Sequence, residues 1–86
     1  MTNRKLDTMV AVFREVLNLG PDRDPRDAVP GDDWSWDSLA HVTLVSALES
    51  EFEVSIDLDT SLSITSFASA VEAVAAAGVS FVSEDG

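Results

Sequence analysis

All three prolines of this 86-residue chain, Pro21, Pro25 and Pro30, fall within residues 20–36, together with Gly20 and Gly31. Proline breaks helix interiors and central strands. The chain is therefore divided into a proline-free stretch before this segment and a longer one after it. Seventeen residues without regular structure (20–36) is long for a compact domain, and such loops are commonly functional. Val29, Trp34 and Trp36 are the apolar side chains that can pin it to a core.

Both flanking stretches carry helical periodicity. Leu6, Val10, Phe13 and Leu17 form one stripe, widened by Met9 and Val16, which predicts a helix over about Asn3–Leu19. Thr2 or Asn3 can cap its start, and Gly20-Pro21 is the expected stop. A second helix is predicted from Ser38 to Phe52 or Glu53, with Asp37 as N-cap. Its stripe is Leu39, Val42, Val45, Leu48 and Phe52, with Leu44 beside it. Glu49, Glu51 and Glu53 crowd the C-terminal end of this helix, where carboxylates oppose the dipole. Local physics does not favour that arrangement.

Val54-Ser55-Ile56-Asp57-Leu58 alternates like a strand, but the chain offers it no partner strand. An extended link is expected there, followed by a short helix around Leu58–Ser63. A last helix is expected over Ser66–Ala77, capped by Thr65 or Ser66, lined by Phe67, Val71 and Val74, faced with alanine on its other side, and closed by Gly78. The predicted fold is all-α: three main helices and a short one, with a long loop between the first two. Residues 1–78 form the domain. Residues 79–86 are a loose tail in which Phe81 can dock.

Composition limits what this bundle can do. A chain this short buries only about 60–65% of its unfolded surface. With no Cys it has neither disulfides nor a zinc-thiolate site, so helix packing must hold it. The absence of Cys fits a cytoplasmic protein. The first residues lack the apolar core of a secretory signal, and no apolar run approaches the roughly 20 residues that cross a membrane.

The net charge is −11, and it is unevenly placed. Residues 1–26 hold five bases and four acids, leaving +1; residues 27–86 hold twelve acids and no Lys or Arg, leaving −12. Such a field repels nucleic acid and anionic lipid and steers basic protein surfaces toward the domain.

Few groups remain that could do chemistry. Ser38 and His41, three apart on one helix, with Asp37 adjacent, loosely suggest a hydrolase. Asp37 at the helix cap cannot also orient the far side of His41, and a small bundle leaves little room for a cleft. Asp57-Leu58-Asp59-Thr60-Ser61 imitates the start of a calcium-binding loop, but Leu62 stands where glycine is needed and Ala68 where glutamate is. Ser38 is the strongest candidate. A first-turn hydroxyl faces water beside unpaired helix amides, a favourable place for a phosphate ester.

Asp37-Ser38-Leu39, followed by Val42, Leu44, Val45, Leu48, Glu49, Glu51 and Phe52, resembles the acyl carrier protein family. So does the stretch Ile56-Asp57-Leu58-Asp59 through Leu62-Ser63-Ile64-Thr65-Ser66-Phe67 to Ala70-Val71. The resemblance implies a four-helix carrier bundle, expected to be monomeric. It also implies a 4′-phosphopantetheine arm on Ser38, donated from coenzyme A by a phosphopantetheinyl transferase that uses Mg²⁺, with Asp37 near that metal during transfer. The arm would supply the thiol that the chain does not encode. Partners would be loading, condensing or tailoring enzymes with basic docking surfaces. Trp36, Leu39, His41 and Val42 would meet them. Leu48, Ile56, Ile64 and Ala70 would line a space for the acyl chain.

Two departures bear on the pathway. Trp36 stands where fatty-acid carriers usually have glycine, and Ala40, His41 and Thr43 replace an acidic outer face. Both suit a discrete carrier of polyketide, modified acyl or aminoacyl units. The remaining alternatives are a fatty-acid carrier and an unmodified acidic module that binds a basic partner.

Overall fold

The computed structural model describes residues 4–79 and 81. It is built from four α-helices: α1 (Arg4–Val16), α2 (Ser38–Phe52), α3 (Leu58–Leu62) and α4 (Phe67–Ala76). The expected all-α architecture is present. No strand occurs among the described residues, and none of their helices is long and apolar enough to cross a membrane. The Thr2 and Asn3 caps, and the tail apart from Val79 and Phe81, lie outside the described residues.

The helix ends follow local chemistry. Asp37 Oδ1 accepts the Ala40 N–H at 2.8 Å and starts α2. Asp57 does the same for α3 through Thr60. Ser66 caps α4, and Ser69 completes a reciprocal box by accepting the Thr65 and Ser66 amides. Three helices stop in the same way, with one residue in the left-handed region followed by a backbone bond to the carbonyl five positions back. Those residues are Asn18, Glu53 and Gly78, and the bonds are Leu19 N to Arg14 O, Val54 N to Glu49 O and Val79 N to Val74 O. Gly78 was expected. For α1 the stop is Asn18 rather than Gly20-Pro21, because asparagine tolerates positive φ and turns the chain first.

The core gathers around Phe13. Its ring meets Trp36 edge-on at 5.6 Å and Phe67 at 5.1 Å. Met9, Leu17, Leu44, Leu48, Ile64 and Val74 fill the space about it. The alanine face of α4 turns inward in part: Ala70 and Ala73 are buried, and their small side chains let neighbouring elements approach closely. Leu39 and Val42, placed in the α2 stripe by periodicity, are 76% and 65% exposed. Leu44, Val45 and Leu48 are the buried side chains of that helix.

The long loop is ordered, and two of the three expected side chains pin it: Trp36 is buried against Phe13 and Trp34 packs partly buried against the core, while Val29 is exposed and does not. Pro25 and Ala28 are buried as well. Two short 3₁₀ turns, Pro25–Asp27 and Asp32–Trp34, lie within it, and Gly31 and Trp36 exchange backbone hydrogen bonds of 3.1 Å. Gly31 sits at φ 140°, where a side chain would be strained. Arginines supply the rest. Arg14 of α1 donates to the Gly20 and Arg23 carbonyls. Arg23 donates to the Asp33 carbonyl at 2.6 Å while its guanidinium lies 3.9 Å from the Trp34 ring centre.

Candidate functional site

Ser38 is the first residue of α2 and is exposed. The helix begins there because Asp37 is extended and its carboxylate takes the Ala40 amide, while its carbonyl takes the His41 amide at 2.9 Å. That leaves the Ser38 and Leu39 N–H groups without intrahelical acceptors. A phosphate ester on the serine would meet both those amides and the positive end of the helix dipole. The fit to a phosphopantetheine arm is good. The hydroxyl is accessible, the helix end is pre-formed, and a groove of about 500 Å³ opens beside it. Pro30, Trp36, His41, Val42, Leu62 and Ile64 are among its walls, so it is largely apolar. A second depression of similar volume lies between α1 and the last turns of α2, remote from Ser38, with Asp7, Glu15 and Glu51 on its walls.

His41 has no part in activating Ser38. Trp36 Nε1–H donates to His41 Nδ1 at 3.0 Å. Indole nitrogen can only donate, so Nδ1 is the bare acceptor and Nε2 carries the proton. Nε2–H then donates to the Ser61 carbonyl at 2.9 Å. Both ring nitrogens are engaged away from the serine, and the nucleophile–base pair that a serine hydrolase requires is absent here. The Asp57 carboxylate likewise caps α3 rather than joining a metal set. No group of three or more His, Cys, Asp or Glu converges among the described residues.

The side chains expected at the docking face divide. Leu39 and Val42 point into solvent. Trp36 is only 2% exposed and His41 is half-buried, so these two support the surface from beneath. Among the described residues, the exposed large apolar side chains are Val29, Leu39, Val42, Leu58 and Leu62. Each sits on an element that borders the groove. Leu58 and Leu62 were missed. They are one helical turn apart, and that spacing on a short helix is the signal that could have found them. The four residues expected to line an acyl space do not share one cavity. Leu48 and Ala70 are packed in the core, Ile64 lines the groove beside Ser38, and Ile56 borders a separate depression of about 100 Å³.

One of the acids at the end of α2 acquires a local reason. Glu49 Oε2 accepts the Ile56 N–H at 2.7 Å and fastens the extended link to α2. Asp57, next along, has its carboxyl held below the usual 3.8 by hydrogen bonding from the Thr60 side chain and then from the Thr60 amide. A folded value below the unfolded one gives stability that is present above about pH 4 and lost as pH falls through the folded value. Acidification is therefore expected to loosen α3, read as amide shifts of residues 58–62. Asp57→Asn should remove that acid-dependent step. Unchanged titration of those amides in the variant would refute it.

The phosphopantetheine attachment site family matches residues 7–74, a span that includes all of α2 and α3 and most of α1 and α4. The chain belongs to this family. It is thus a phosphopantetheine carrier, and the family implies a phosphopantetheine prosthetic group. The carrier is also similar to a chain of the solved structure described as "The ishigamide ketosynthase/chain length factor". The two are 26% identical with a TM-score of 0.70, over 88% of this carrier and 96% of that chain. No curated protein matches.

Proposed function

We propose that this carrier holds acyl or aminoacyl units as thioesters on a 4′-phosphopantetheine arm attached to Ser38. It delivers them, as a cytoplasmic monomer, to enzymes of polyketide, non-ribosomal peptide or related biosynthesis. One observation carries the attachment: within the span matched by the family, an exposed serine stands on a capped helix N-terminus beside an open apolar groove. When bound, the arm supplies the thiol that forms the thioester. The chain holds the phosphate end at α2 and shelters the near part of the cargo against Leu62 and Ile64. Asp37 is exposed and uses Oδ1 for the cap, so on this reading its other carboxylate oxygen meets the incoming transferase and its Mg²⁺. The likeness to the ketosynthase/chain length factor structure supports partners of the polyketide type.

Incubation with coenzyme A, Mg²⁺ and a broad-specificity phosphopantetheinyl transferase tests the reading by intact mass. A gain of one phosphopantetheine is expected. No gain with a transferase shown competent on another carrier would reject it. Loading only by fatty-acid synthase enzymes would reject the specialised pathway but keep the carrier.

Leu39 and Val42 on α2, with Leu58 and Leu62 on α3, form the apolar part of the docking face. The surrounding acids attract a basic rim on the partner. Affinity for such an enzyme should fall as salt rises, because exposed charges are screened over about 8–10 Å at physiological ionic strength. A titration at several salt concentrations checks this. A salt-independent Kd would assign the contact to the apolar side chains alone.

A further inference from the structure

Helix α3 is weakly anchored. It has five residues, none of them buried, and Leu58 and Leu62 are 72% and 66% exposed. It is held at its ends, by the Asp57 cap and by Ile64 buried just beyond it, and at one backbone atom within it. That atom is the Ser61 carbonyl, which takes the Nε2–H of His41. The His41 ring is fixed from its other side by the Trp36 indole, beside which it lies edge to edge and nearly coplanar, with ring centres 6.0 Å and planes 18° apart. Trp36 in turn packs edge-on against Phe13 at the centre of the core. A continuous path therefore runs from the core, through two rings, to the backbone of α3.

We propose that His41 is a positioning residue. It fixes α3 beside Ser38, so that Leu58 and Leu62 stand in register with Leu39 and Val42 as one apolar surface for the enzymes that act at Ser38. Those enzymes present an apolar centre with a basic rim. The proposal deepens the carrier reading and rests on it. No other side chain at position 41 provides both ends of the link. Glutamine can place an N–H near the Nε2 position and keep the bond to Ser61. Asparagine is shorter and can reach only the Trp36 side. Alanine loses both.

The test measures kcat and KM of phosphopantetheine transfer to wild type, His41→Ala, His41→Gln and His41→Asn, with amide shifts of residues 58–62 recorded for each. In wild type, a scalar coupling across the hydrogen bond between Trp36 Nε1 and His41 Nδ1 reports the link directly. His41→Ala is expected to raise KM about three- to tenfold, the range that loss of one hydrogen bond supports, with kcat little changed and shifts centred on 58–62. His41→Gln should recover most of the KM, and His41→Asn should not. Leu62→Ser should raise KM while leaving the Trp36–His41 coupling intact. An unchanged KM in His41→Ala, glutamine no better than asparagine, or shifts spread evenly over the core would each overturn the proposal. If wild type accepts no phosphopantetheine, the carrier reading fails, and the shifts of 58–62 still decide whether His41 places α3.

Discussion

Replacing Ser38 by alanine is expected to abolish phosphopantetheine transfer completely while leaving the fold in place. The two halves of that expectation have separate causes. On the proposed reading the Ser38 hydroxyl is the acceptor of the arm, because it is the exposed serine at the head of α2 within the matched span. The helix start does not depend on Ser38, because Asp37 provides the cap and alanine is the best helix former. Ser38 is exposed, so its truncation opens no cavity. Intact mass after incubation with coenzyme A and transferase should show no gain for Ser38→Ala, and its thermal midpoint should stay close to that of wild type. A full gain in the variant would move the attachment elsewhere. Loss of gain together with a collapsed midpoint would mean that Ser38 is structural. Asp37→Ala provides the contrast: removal of the cap should cost about 1 kcal/mol of stability and lower the midpoint even where modification survives.

The second large effect lies in the core. Phe13→Ala is expected to cost about 3–5 kcal/mol. The ring is fully buried and holds Trp36 and Phe67 edge-on, so its removal leaves a cavity between α1, the loop and α4. Domains of this size have about 5–15 kcal/mol in total and lie toward the lower end. At about 4–8 °C per kcal/mol, the thermal midpoint by far-UV circular dichroism should drop by tens of degrees. Trp36 fluorescence should report the same transition. Leu39→Ala, on an exposed site, should stay within about 0.5 kcal/mol. A Phe13→Ala protein as stable as wild type would show that the aromatic cluster is not the centre of the core.

What could be read from the chain was local. The bounds of α2, the caps at Asp37 and Ser66, the stop at Gly78 and the exposed Ser38 all depend on residues within one or two turns of one another. So did the near-miss at the end of α1, where Asn18 turns the chain two residues ahead of Gly20. The misplaced side chains needed distant partners. His41 reads as an outer-face residue until the Ser61 carbonyl, twenty positions on, arrives beneath its ring. Trp36 reads both as a pin for the loop and as a docking residue, and only Phe13 against it decides for the first. Arg14 and Arg23 read as charges, yet what they do is collect loop carbonyls. Leu39 and Val42 continue the apolar period of α2 without facing the core. Periodicity records which positions are apolar and is silent on whether water or a partner covers them.

The gathering of exposed apolar side chains around a single groove has a kinetic consequence. If the enzymes that visit Ser38 all need that end of the molecule, they exclude one another, and only one can be docked at a time. The order of events along a reaction series is then decided by competition, and each enzyme must let go before the next can bind. Because related interfaces differ mainly in how fast they dissociate, a partner that held this surface too tightly would stall the cargo, and modest affinity becomes a working requirement of the design.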